Sequence, residues 1–184
     1  MTIMRRIPEG QKTAAAIEDG RQLTVAPTEE DYLASLEYRG ADEEDLNIIS
    51  FSMGPRECAF EVSDAVEVLR PRQITEVPRT PAYIKGILSV RGEMITVIDL
   101  RVMFGMEPLG TTPLSRILIV TVDDLKAGFL VDRLGGVKAV RAASMSAPGP
   151  DLGVPPRFMK GVVLSSGNSV LLLDAGALIE PGEQ

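Results

Sequence analysis

The sequence predicts a mainly β protein, built as two small five-stranded barrels side by side. Three observations carry this. From Ile48 onward, ten short runs rich in β-branched and aliphatic residues follow one another, separated by Gly, Pro, Asp and Ser. The second half of that region repeats the first. The only helical candidates inside it are single turns such as Asp99–Phe104. Short strands at this spacing fit barrels or a sandwich, not a doubly wound parallel sheet.

Residues 1–45 read differently from the rest. The stretch to Pro27 mixes Pro, Gly, Gln and charge without a period, and is expected to be disordered. Thr28 with Asp31 has capping-box spacing and opens a short helix over Asp31–Arg39, which Gly40 stops. The acidic stretch Ala41–Asp45 reads as a solvated link. The strands then run Ile48–Met53, Glu57–Val62, Ala65–Leu69, Ile87–Val90, Met94–Leu100, Arg116–Val122, Ala127–Val131, Val137–Val140, Gly161–Leu164 and Ser169–Leu173. Gly54-Pro55 closes the first as a turn.

Tyr83-Ile84-Lys85-Gly86-Ile87-Leu88 returns 75 positions later as Phe158-Met159-Lys160-Gly161-Val162-Val163. At the same shift Gly92 meets Gly167, Ile95–Ile98 meet Val170–Leu173, and Asp99 meets Asp174. Phe60-Glu61-Val62 resembles Phe129-Leu130-Val131, and Arg70 resembles Arg141, at smaller shifts. Two copies of one five-stranded unit follow, as lobes over roughly 46–115 and 116–180, with exchange of strands between them allowed and a groove left between them. Positions kept in both copies read as structural. Their glycines supply tight turns or positive φ, the lysines sit on solvated edges, and Asp99 and Asp174 cap the turns that follow buried strands. Arg91 breaks the pattern. Its counterpart is Ser166, so a fold shared by both copies does not demand this Arg.

Composition excludes several classes of function. Of 184 residues 45% are hydrophobic, enough for a core, and the net charge is -7. An acidic chain repels phosphate backbones, which argues against nucleic-acid and anionic-membrane binding. No apolar run approaches the ~18 residues of a membrane span, and no signal pattern opens the chain, so the reading is a cytoplasmic protein. Cys58 is the single cysteine and there is no histidine. The commonest general base and metal ligand are thus missing, and the phosphate-loop, dinucleotide and nucleophile-elbow motifs are absent. No enzyme activity, cofactor or metal is expected.

The segment Pro81-Ala82-Tyr83-Ile84-Lys85-Gly86-Ile87-Leu88-Ser89-Val90-Arg91-Gly92-Glu93-Met94-Ile95-Thr96-Val97-Ile98-Asp99-Leu100-Arg101 resembles the signature of CheW-like chemotaxis coupling proteins. That signature runs roughly P-x-[YF]-I-K-G-[VI]-x-N-L-R-G-x-x-[IV]-P-[VI]-[IV]-D-L-R. The resemblance extends from Ile48 to Ile179, with support from Glu57–Phe60, Val66–Val68, Gly128–Asp132 and Leu171–Asp174. Ser89-Val90 stands where the family has Asn-Leu, and Thr96 where it has Pro. The resemblance implies two SH3-like five-stranded barrels and an adaptor that joins a chemoreceptor's cytoplasmic tip to the regulatory domain of a CheA-type histidine kinase, recruited to membrane receptor arrays. It implies a receptor-binding surface at Ala65, Glu67, Gly86 and Arg91, with exposed apolar strand positions anchoring a receptor helix. It implies that barrel-end apolar residues meet the kinase, without naming them.

Other readings compete. Asp99 and Asp174 come from two related units, as the paired carboxylates of an aspartic protease do, but Leu100-Arg101 and Ala175-Gly176 follow them instead of the turn such enzymes use. A CheW-like regulatory module of another pathway, such as pilus-driven motility, shares the same signature. A generic small-barrel ligand binder is disfavoured by five Phe, three Tyr and no Trp, too few for an aromatic cage or stacking platform.

Overall fold

The computed structural model describes residues 45–149, 152–165 and 167–180. The N-terminal extension, including the helix expected over Asp31–Arg39, and Ser166 lie outside these residues. Ten strands form two five-stranded sheets. In chain order they are β1 (Asp45–Met53), β2 (Arg56–Glu61), β3 (Ala65–Leu69), β4 (Ile84–Val90), β5 (Glu93–Asp99), β6 (Arg116–Val122), β7 (Leu125–Val131), β8 (Arg133–Arg141), β9 (Met159–Ser165) and β10 (Asn168–Leu173). One sheet has the order β8-β1-β2-β10-β9, the other β3-β6-β7-β5-β4. Two short helices, α1 (Leu100–Met103) and α2 (Ala175–Ile179), follow β5 and β10.

β4 and β8 start three and four residues earlier than the sequence suggests, and glycine is the reason in both. β4 runs through Gly86, where the register shifts between Ile84 and Gly86. β8 runs through Gly135-Gly136, where β1 shifts register between Ser50 and Phe51. Glycines that look like turn signals in the sequence act here as bulges inside strands.

Sheet membership does not follow the division at 115/116. Five strands fall on each side of it, but the sheets are cut differently. The β1–β2 hairpin joins β8, β9 and β10, while the β6–β7 hairpin joins β3, β4 and β5. Each repeat thus places its first hairpin in the other repeat's sheet. Parallel pairings close the exchange: β5 runs beside β7 with Ile98 opposite Phe129, and β10 beside β2 with Leu171 opposite Cys58.

The exchanged hairpins need two apolar faces, and their sequences have them. Leu118 and Val120 of β6 enter the core shared by both sheets, while Ile117 and Ile119 enter the core of their own sheet. In β1, Ile49 and Phe51 face the shared core and Ile48 its own. Such strands read as continuous apolar runs because neither face meets water. Phe51, Phe60 and Phe129 form an aromatic row across the shared core, with ring centroids 5.3 and 5.0 Å apart. Burying each such side chain contributes roughly 1.5–3 kcal/mol.

Candidate protein-interaction site

β4 and β5 are joined by the two-residue turn Arg91-Gly92, with Val90 paired to Glu93. Both turn residues have positive φ, 50° for Arg91 and 90° for Gly92. A tight hairpin turn of this hand demands positive φ at both positions and favours Asn-Gly or Gly-Gly. An Arg in the left-handed region is disfavoured by roughly 1–2 kcal/mol. Its side chain is 79% exposed and reaches Glu67 on β3, Nη2 to Oε1 at 3.3 Å; Glu67 is only 16% exposed.

β3 and β4 are the two edge strands of their sheet. The sheet bends round until Leu69 of one edge and Leu88 and Val90 of the other share one apolar cluster. The Arg91–Glu67 pair crosses this gap at the sheet's open end. There a cavity of about 230 Å³ is lined by Glu67, Val90, Arg91, Glu93, Ile95, Ile119 and Lys126. A second ion pair, Lys126 Nζ to Glu93 Oε2 at 2.6 Å, borders it. The mouth thus has an apolar floor and two ion pairs of mixed sign on its rim. Beside it stand Met94 and Leu125, 63% and 43% exposed. The parallel pairing of Thr96 with Ala127 brings these two side by side.

Of the four expected interaction residues, the structure brings Glu67 and Arg91 into contact. Ala65 opens β3 two residues before Glu67 and is half-buried. Gly86 has a clear structural cause. At φ +140° it lies against Thr75, and a Cβ there would collide with the Thr75 carbonyl oxygen. Its bare Cα lets the Thr75 backbone exchange two 2.9 Å hydrogen bonds with Ile87. The second copy repeats the device. Ser146 pairs with Val162 through two 2.9 Å bonds, and a Cβ on Gly161 would come 2.9 Å from the Ser146 carbonyl oxygen.

The other repeated residues also act structurally. Asp99 accepts from the backbone N–H groups of Arg101 and Val102 at 3.0 and 3.4 Å, capping α1. Asp174 accepts from Ala177 N–H at 3.0 Å, capping α2. Lys160 is exposed as expected, but its ammonium also bonds Glu61 at 2.7 Å and Asp64 at 3.4 Å. Desolvation alone would lower its pKa; the bonds to these carboxylates outweigh it and the pKa is raised. Glu93, Lys126, Met94 and Leu125 were not singled out from sequence. They meet only through the parallel β5–β7 pairing, which leaves no local signal.

Among the described residues no helix is long and apolar enough to cross a membrane. The family model for the CheW-like domain matches residues 47–182. The chain is 37% identical over 93 residues to the chemotaxis protein CheW of Helicobacter pylori, a match covering 50% of this chain and 56%, about half, of that protein. It is 25% identical over 147 residues to the chemotaxis protein CheW of Treponema pallidum, covering 77% of this chain and 86% of that one. The crystal structure of the scaffolding protein TtCheW from Thermoanaerobacter tengcongensis superposes with a TM-score of 0.69 at 31% identity, covering 73% of this chain and 92% of that one. With the signature segment, two five-stranded sheets and a family match across nearly all the described residues, this chain belongs to the CheW-like family.

Proposed function

We propose that the chain is a chemotaxis-type coupling adaptor, which binds a chemoreceptor's cytoplasmic tip and the regulatory domain of a CheA-type histidine kinase without catalysing a reaction. The observation that carries this is the meeting of Arg91 and Glu67 at the barrel mouth. Arg91 is the residue at which the internal repeat breaks, and it is held in a backbone conformation that costs folding energy. The mouth offers a fixed guanidinium, a carboxylate and an apolar floor, which suits a partner helix that carries both kinds of group. Ala65 and Gly86 belong to the proposed receptor surface as flanking positions. The kinase contact is placed on exposed apolar barrel-end residues, for which Met94 and Leu125 qualify. Absence of catalysis is supported by Asp99 and Asp174, whose carboxylates are each engaged in capping a helix.

Co-sedimentation with receptor-bearing membranes and a purified CheA-type kinase tests this. Arg91→Ala should lower receptor affinity by about 2–4 kcal/mol, roughly 30- to 1000-fold, while kinase binding in solution persists. Wild-type protein that sediments with neither partner would overturn the reading.

A further inference from the structure

Among the described residues one cation is buried: Arg116, the first residue of β6, with 5% of its surface exposed. Its Nη1 donates to the carbonyl oxygens of Pro113 at 2.8 Å and Ser115 at 2.7 Å. The turn that supplies those oxygens is itself fixed. Thr112 N–H donates to Ser115 Oγ at 2.9 Å, Leu114 N–H to Thr112 Oγ1 at 3.2 Å, and Ser115 N–H to the Thr112 carbonyl at 3.0 Å. No ion pair among the described residues involves Arg116 or Arg70. Arg70 directly follows Leu69, whose Cα partner is Ile117, so it comes opposite Arg116 across the β3–β6 pair. Both alternate in step with Val68 and Leu118, on the side of the sheet that meets the other lobe, whereas Glu67 falls on the other side.

Like charges directly opposite one another destabilise a sheet, and a buried charge without a counter-charge is costlier still. Burial, and after it the charge of Arg70, holds the Arg116 pKa below its ordinary value. The remaining edge of the guanidinium is available. Nε and Nη2 of Arg116 make no hydrogen bond among the described residues. Nε and Nη2 are two parallel donors, a fork that matches two oxygens of one anion.

We propose that Arg116 and Arg70 form an oxyanion site that takes a carboxylate or phosphate group. Arg116 receives two oxygens side-on, and Arg70 supplies the second positive charge from the exposed flank. The proposal does not rest on the receptor or kinase reading.

The test is NMR of the full chain with ¹⁵N-labelled arginine, titrated with sodium phosphate and separately with sodium acetate at constant ionic strength set by chloride. The Nε–H signals of Arg116 and Arg70 should shift saturably at millimolar anion, with Arg91 unmoved. Saturation by phosphate alone assigns a phosphate-bearing ligand; saturation by both anions assigns a carboxylate-bearing one. Arg70→Gln, an exposed position, should weaken binding about tenfold and raise the melting temperature in chloride by removing the repulsion. Arg116→Met should abolish the shift, and where it fails to fold, Arg70→Gln alone decides. Drifts without saturation, or shifts shared equally by all exposed arginines, would overturn the site.

Discussion

Arg91 and Gly86 occupy neighbouring parts of one hairpin, yet substitutions there should separate cleanly. At Arg91 two small effects oppose each other. Removing the exposed ion pair with Glu67 costs about 0–1 kcal/mol. Relieving the left-handed Arg with Asn or Gly returns an amount of similar size. Arg91→Gly should therefore leave the melting temperature nearly unchanged while receptor binding falls. A large loss of melting temperature with normal receptor binding would make Arg91 structural. Gly86→Ala is the opposite case. Its Cβ meets the Thr75 backbone, which is held by two hydrogen bonds, and overpacking of this kind typically costs about 1–3 kcal/mol. Calorimetry should show a melting temperature lowered by several degrees. Any loss of partner binding in that variant would accompany the loss of stability.

Cys58 gives a pH dependence with a definite sign. Burial pushes its thiol up to about 12 from 9.0, opposed by Arg56 and aided by Glu57. The native state keeps the proton where the unfolded chain releases it. The stability linked to this group is complete below pH 9 and is lost as pH rises from 9 toward 12. A disulfide-forming thiol reagent at pH 8 should therefore react only as fast as the protein opens. Immediate stoichiometric labelling of the native protein would contradict the burial.

At the scale of elements, strand existence was legible and strand partnership was not. Runs such as Arg116–Val122 and Ala65–Leu69 are bounded as the sequence suggests, because apolar character and flanking turn residues are local properties. Which strands pair in parallel depends on contacts far apart in sequence, so the β5–β7 neighbours that assemble the mouth stayed hidden. The repeat carried more than periodicity did. Asp99 and Asp174 at equivalent positions imply equivalent caps, and α2 is the equal of α1 in consequence. Asp99→Ala should cost near the upper end of about 0.5–2 kcal/mol, since Asp99 is buried and accepts two bonds. Asp174→Ala, with one bond lost, should cost less. Asn at either site should restore most of the stability, as measured by urea unfolding, since a cap requires an acceptor and not a charge.

For the whole molecule, the exchange of hairpins makes the two sequence repeats interdependent. Neither 45–115 nor 116–184 contains a complete sheet. Each fragment alone would expose strands whose both faces are apolar, Ile48 to Phe51 in one and Ile117 to Val120 in the other. Far-UV circular dichroism should show each fragment unfolded, and an equimolar mixture should recover the β signal. The intact chain should melt in a single transition, because the core holding Phe51, Phe60 and Phe129 belongs to both lobes. Two well-separated transitions would argue that the lobes are energetically independent. The mouth at Glu67 and Arg91 inherits this rigidity.

The same exchange sets an order on the ribosome. Among the strands, chain growth delivers β1 and β2 first, yet their neighbours β8 and β10 follow only after β7. The sheet built from β3 to β7 has all its strands once Val131 has emerged, and closes around its own core without waiting. Throughout that interval the leading hairpin holds two apolar surfaces with no permanent cover, the kind of exposed intermediate that aggregates or recruits chaperones. The first hairpin made is thus among the last to find its place, and the nascent protein is most vulnerable just before the β9–β10 hairpin is released.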